Sequence, residues 1–445
     1  MHVLTAVTLA GVFFVISVRR PQTAVLCFLS LVPFHGLLTI FPVTSSFWKE
    51  LAVLAILAGS FIAQPASDAG HYRAFLPWAR PLAILIPFGV MSGVIVHGLW
   101  SFFPIKIAFF YLLLVFIIWR YPFTQRDKDR LISVLLITGT ITAIYGLLQQ
   151  MVGGERLVEM GYTWGEQVRT TGPLLRSFGT FNQPFPFGLY LMVALLAGTS
   201  SALLEPRRLR SRLFWPASLV MGAGLVFSVV RASYIGLFIG LIVLGVTQHR
   251  RVFKAVQIVA GIGIAALVVV LSVFSSSSSI QALSSSSSLQ QRITHWAESF
   301  QLVLSHPLGT GLGNTGSAAQ KTGPGIDVLN PPYQPDSQYL KILIELGLPG
   351  MALYVAVVAF MIWSMRQLLR QLPTSSIDYA FVCIALAATT AACISAVFAT
   401  YLEIFPLDIL FWVLPAIACC APQTRSRSAG KPAAVAPEGS ATASR

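Results

Sequence analysis

Apolar runs recur along almost the whole chain, each about 17–25 residues long, the length at which a helix crosses roughly 30 Å of hydrocarbon. In lipid every backbone N–H and C=O must find its partner within the segment, so the pattern predicts helices. The runs fall at 3–18, 23–43, 47–64, 82–99, 104–119, 131–151, 184–203, 213–229, 232–247, 255–274, 340–364, 378–400 and 407–421. The first two are short or interrupted by Pro33, so the expected architecture is an all-α, polytopic integral membrane protein of about 12–13 transmembrane helices. N-terminal transmembrane helices occupy 1–130. Central ones occupy 131–274 and carry a loop at 152–183. A large loop follows at 275–339, then C-terminal transmembrane helices at 340–421. The tail at 422–445, rich in Ala, Ser, Pro, Arg and Gly, reads as disordered.

Charged residues make up 10% of the chain against 55% hydrophobic, where a soluble domain carries about 25% charged residues. The net charge of +14 raises the question of nucleic acid, but the basic residues punctuate the runs and build no basic domain. Of the 30 Lys and Arg residues, 21 fall at Arg19-Arg20, 65–81, 120–130, 205–212, 248–254, 365–377 and the tail. By the positive-inside rule that side is cytoplasmic, together with the C-terminus. The loops at 152–183 and 275–339 then face outward, which for a bacterial inner membrane is the periplasm. All five cysteines lie inside apolar runs, which argues against a disulfide framework or a metal site. No small-residue cleavage site follows residues 3–18, so a cleaved signal peptide is not expected.

Chemistry should therefore gather between Ser275 and Gly350 or in the one earlier loop. Two serine runs, Ser275–Ser279 and Ser284–Ser288, read as a flexible lead-in. Arg231 stands between two apolar runs separated by almost nothing. An arginine there must face a cavity, a partner or the interface, either as an anion ligand or as a snorkelling helix end. Arg176 and Arg292 share the outward face, as ligands or as solvated loop charges. Guanidinium is a planar fork of donors that stays charged, which suits a phosphate-bearing ligand. Asp336 lies where the large loop re-enters the membrane, and is either a helix N-cap or a general base facing a bound hydroxyl. Glu345 lies deeper in the same run and needs a polar partner. Glu298, Asp327 and Glu166 complete the outward carboxylates. The run His306-Pro307-Leu308-Gly309-Thr310-Gly311-Leu312-Gly313-Asn314 has no strand–turn–helix context, so its glycines serve close backbone approach rather than a dinucleotide. His306 is a structural histidine or a site residue. No HExxH, CxxC, Walker A or nucleophile elbow is present, which removes support for metalloprotease, redox, ATPase and serine-hydrolase readings.

Five pieces in order resemble the O-antigen ligase and polymerase superfamily of bacterial polysaccharide assembly. They are Tyr145–Gln149, Arg176–Asn182 with Phe187–Leu191, Ser228–Arg231, Arg292 with Trp296 and the glycine run, and Asp336–Leu340 with Glu345–Gly350. Residues 1–130 and 365–445 resemble it only in being hydrophobic spans. The resemblance implies a metal-independent membrane glycosyltransferase without a cofactor. Its donor would be an undecaprenyl-pyrophosphate-linked glycan and its acceptor the hydroxyl of a glycan or lipid, with membrane lipids and other polysaccharide assembly proteins as further partners. By position, the donor pyrophosphate would fall to Arg231, Arg292 and Arg176. His306, Tyr339 and Glu345 would support the site. The family pattern has His-Asn where this chain has Asp336-Ser337. The change favours a polymerase of exopolysaccharide, capsule or O-antigen repeats, with Asp336 as base, or a divergent ligase to lipid A core. A polysaccharide transporter or a scaffold of an assembly complex would also be polytopic with interior arginines.

Overall fold

The computed structural model describes residues 2–41, 43–64, 72–171, 174–248, 286–319, 321 and 333–422, with 286–293 described by backbone alone. The expected span at 255–274, the first serine run, Asp327 and the tail from 423 lie outside the described residues. Helices occupy the other twelve expected spans. In chain order they are α1 (His2–Arg19), α2 (Pro21–Leu31), α3 (His35–Ile40), α4 (Trp48–Ile62), α5 (Ala79–His97), α6 (Phe102–Phe109), α7 (Leu112–Arg120), α8 (Gln125–Val152), α9 (Gly154–Glu159), α10 (Pro184–Leu204), α11 (Leu209–Ser228), α12 (Arg231–Thr247), α13 (Ser286–Ser305), α14 (Gly316–Ala319), α15 (Gln338–Gln371), α16 (Ile377–Ser395) and α17 (Leu407–Ala418). Seven helical stretches among the described residues are long and apolar enough to cross a membrane. These are α1, Pro21–Ile40, Ala79–Phe109, α8, α10, α15 and α16. The interruption at Pro33 is a 3₁₀ turn, Val32–Phe34, between α2 and α3. One expectation needs correction: the end of the second serine run, Ser286–Ser288, is the first turn of α13 and not a loose lead-in.

Burial sorts the helices as their sequences require. In α10, apolar or small on every side, 89% of the membrane-length window is buried. In α1 only 17% is, and Val3, Leu4, Val7, Val12 and Val15 are exposed on its surface, as a lipid-facing helix demands. The core is the packing of α10, α16 and α17, with α8, α11 and α12 against it.

The loops sort into two ends. At one, Lys128 Nζ bonds Asp378 Oδ1 at 2.6 Å with both side chains almost wholly buried. Tyr72 Oη and Gln125 Nε2 donate to the other Asp378 oxygen. The pair locks a two-stranded antiparallel sheet of β1 (Tyr72–Ala74) and the last strand, Cys420–Pro422, onto the bundle. Arg20 pairs with Asp127, and Arg208 and Arg210 bracket Asp129 and Glu205 at this same end. The opposite end gathers 33–50, 176–182, 227–232, 309–316, 336–345 and 395–408.

Candidate functional site at the glycine-run end

The junction of α11 and α12 is two residues long. Ser228 ends α11, Val229 takes a left-handed φ of 53°, Val230 is extended, and Arg231 is the first residue of α12. A β-branched residue in that conformation costs energy and persists only where its surroundings hold it. The holding is visible. Ser177 N–H donates to Phe227 O at 2.8 Å, Ser233 Oγ to Val230 O at 2.6 Å, and Tyr234 Oη to Val226 O at 2.7 Å.

The segment 176–182 lies against this break. Gln149 fixes it, accepting from the amides of Phe178 and Gly179 and donating to Gly179 O. Thr180 Oγ1 donates to Pro33 O and Thr180 O accepts from Leu37 N–H, so the segment also rests on the 3₁₀ turn and α3. Arg176 thereby reaches across to the break, with Nε 3.3 Å from Ser228 O. Burial lowers the Arg176 pKa, and the charges of Arg169 and Arg231 lower it further. Arg176, half buried, is thus held on Ser228 at the junction, and Arg231, exposed, opens α12 three residues later, where the helix dipole is positive. Positive charge at a helix N-terminus suits an anion. Arg292 falls within the early part of α13, and its side chain lies outside the described residues.

The glycine run packs on a break in α15. Gly347 has φ 64° and ψ −164°, and Pro349 follows it. Thr310 N–H and Gly311 N–H donate to Ile344 O and Glu345 O at 2.8 and 2.9 Å, and Leu348 N–H donates to Pro307 O at 2.9 Å. The carbonyls that the helix break frees are therefore satisfied by the run. A Cβ at Gly309 would strike the Glu345 carbonyl, and one at Gly347 would strike Pro307 O. Gly309→Ala should destabilise the protein by more than Gly153→Ala. Both positions have positive φ, 91° and 83°, but open space surrounds Gly153. Strained backbone alone costs about 1–3 kcal/mol, and only Gly309 adds a clash. Thermal unfolding of the two variants in one detergent measures the gap; equal shifts would contradict the close approach.

Asp336 is half buried and caps nothing. Ser337 holds the N-cap position of α15, with no side-chain capping bond there. The N-cap reading of Asp336 therefore falls. Its neighbour Tyr333 donates from Oη to His295 O at 2.6 Å and lies 2.7 Å from Ser299 Oγ, tying the Asp336 segment to α13. Burial raises the Tyr333 pKa, and the carboxylates of Glu298 and Asp336 add to it.

Glu345 is paired with Lys341, Nζ to Oε1 at 2.6 Å, and Lys341 also forms an ion pair with Glu403 at 2.9 Å. His306 follows α13 with its ring on Ser305 Oγ, and Tyr339 Oη donates to Cys393 O at 2.8 Å, a bond to α16. Sequence reasoning missed Lys341, Glu403 and a further set on α4, α6 and α17. Lys49 Nζ lies 4.1 Å from the Phe405 ring centre, Lys106 pairs with Glu50 at 2.6 Å, and Asp408 is buried at the start of α17. The ionisable groups of this end thus extend beyond Ser275–Gly350 and the earlier loop. The spacing of Lys341 and Glu345, four apart on one helix, was the available signal. For Lys49 and Asp408 there was none beyond a charge at the edge of an apolar run.

No curated protein matches the chain. Residues 216–355 match the family described as O-antigen ligase. The matched segment holds the break at Val229, Arg231, α13, the glycine run, Asp336 and the break at Gly347, while Arg176 lies before it. Over those residues this polytopic membrane protein is therefore similar to the O-antigen ligase family.

Proposed function

We propose that the protein is a membrane glycosyltransferase that moves a glycan from an undecaprenyl-pyrophosphate donor to an acceptor hydroxyl at the periplasmic face of a bacterial inner membrane. The reaction read here is polymerisation of exopolysaccharide, capsule or O-antigen repeat units. The observation that carries it is the placing of Arg176 on the α11–α12 junction, Nε to Ser228 O at 3.3 Å, three residues before Arg231 opens α12. That cluster of positive potential suits a pyrophosphate whose lipid tail stays in the bilayer. The acceptor oxygen forms a bond to the anomeric carbon as the bond from that carbon to the pyrophosphate oxygen breaks. Asp336 takes the acceptor's proton, and the arginines stabilise charge growing on the leaving pyrophosphate. No step calls for a metal ion. The family description supports a second reading, transfer to lipid A core.

Purified protein in nanodiscs, given lipid-linked repeat units, should produce a ladder of longer lipid-linked glycan. A chelator should leave the rate unchanged. Donor recovered intact, with no new product, would reject the transferase and favour transport or scaffolding. A single addition to a lipid A core acceptor, without a ladder, would move the assignment to ligase.

A further inference from the structure

We propose that Lys341 is a positioning residue that fixes the Asp336 segment; this rests on the reading of Asp336 as the base. Lys341 Nζ meets groups from three parts of the chain, by hydrogen bonds to Glu345 and Thr315 and by an ion pair with Glu403. It reaches Glu345 Oε1 at 2.6 Å on its own helix, Glu403 Oε1 at 2.9 Å in the turn before α17, and Thr315 O at 3.1 Å after the glycine run. Thr315 answers by donating both its N–H and its Oγ1 to Glu345 Oε1, at 3.1 and 2.7 Å. Lys341, Glu345 and Glu403 are nearly buried, with side chains 8%, 2% and 5% exposed. They close the polar end of a cavity of about 70 Å³ whose walls include Leu85, Phe109, Leu312 and Trp412. In such surroundings charges are weakly screened, so each contact is held firmly.

From Thr315 the constraint passes to Asp336 through backbone. Thr315 is bridged to Tyr333, and Gly316 N–H donates to Tyr333 O at 3.0 Å. Three residues later comes Asp336. On its other side Gln338 N–H donates to Ala396 O and Ala399 O, and Gln338 Oε1 accepts from Leu402 N–H, next to Glu403. The segment 333–338 is thus pinned at both ends, and Lys341 holds Thr315 at one pin and Glu403, the neighbour of Leu402, at the other. The Glu403 carboxylate fills the space a side chain at Gly316 would need, with Oε2 2.6 Å from that Cβ position, so the turn and the loop are locked face to face.

The test is Lys341→Met in the full chain, read by hydrogen exchange and by steady-state kinetics. Peptides covering 311–319 and 333–340 should exchange at least about tenfold faster, while those of α10 and α16 keep their rates. Turnover should fall roughly a hundredfold with KM within about twofold, as misplacement of a reacting group predicts. Glu403→Gln keeps the side chain's shape, leaves the Lys341–Glu345 pair intact and still offers Lys341 an oxygen, so the lock should hold and most of the turnover remain, separating the lock from general disturbance of a buried charge. Thr315→Val keeps the ion cluster whole and should give the same pattern at about fivefold, which decides the question where the lysine variant does not assemble. Turnover lost with unchanged exchange would overturn the proposal, as would faster exchange with normal turnover, or a loss confined to KM. Exchange does not need an active enzyme. Absence of transferase activity in the wild type would therefore reject the proposed function while still testing the lock.

Discussion

Arg231→Ala should abolish polymer in a strain lacking its own copy, with the protein still present in the membrane. The expectation rests on where this cation has been placed. Arg231 is the first residue of α12, where the helix dipole already favours negative charge, and Arg176 adds a second cation beside it. A cation at that position does not stabilise the helix, and no side chain caps the helix start. Its removal takes away attraction for an anion, and thermal unfolding of the variant, measured beside its membrane level, separates that loss from any loss of folding. Arg231 is exposed at this end; once a lipid-linked substrate covers it, loss of one donor to developing charge costs about 10²–10³ in turnover. Arg231→Lys should recover only part of it, because a point charge does not reproduce the planar fork. Arg176→Ala should act in the same direction, with some loss of stability, since its Nε also holds Ser228 O at the strained break. Accumulation of lipid-linked single repeats would place the protein at polymerisation. Long chains left on lipid without surface attachment would point to a ligase. Normal polymer at normal protein level would remove the donor role and lift the transporter and scaffold readings.

The helices were legible because lipid imposes one rule on every segment, and the run lengths obey it. Arg231 was legible for a related reason: a charge between two apolar runs has few places to go. What escaped was whatever depends on contacts distant in sequence. Lys341 meets Glu403 some sixty positions later, and Lys128 meets Asp378 from even farther away. A lone charge in an apolar run announces that a partner exists and does not say which. The left-handed turn at Val229 escaped because nothing in a Val-Val pair encodes it; packing of Ser177 and Tyr234 against 226–227 enforces it. The break in α15 was partly written in Gly347 and Pro349. Its role as the seat for the glycine run is tertiary.

Asp336→Asn should lower turnover by about 10²–10⁴ and leave the fold unchanged. Asparagine matches the shape of aspartate and keeps one oxygen acceptor, but it does not take a proton at neutral pH. The fold should not respond, because Asp336 caps no helix: Ser337 holds that position and α15 is anchored through Gln338 instead. Thermal unfolding of the variant should match the wild type, and donor binding, assigned to the arginines, should persist. This joint outcome separates the base from the alternatives. A structural aspartate would lower stability and activity together, and a donor ligand would lose binding. Polymer of normal yield and length from Asp336→Asn would show that the proton leaves by another route. In that event the charged set of Lys49, Glu50, Lys106 and Asp408 at the same end becomes the place to seek it, since Lys106 and Glu50 already bond and Asp408 is buried beside them at the start of α17.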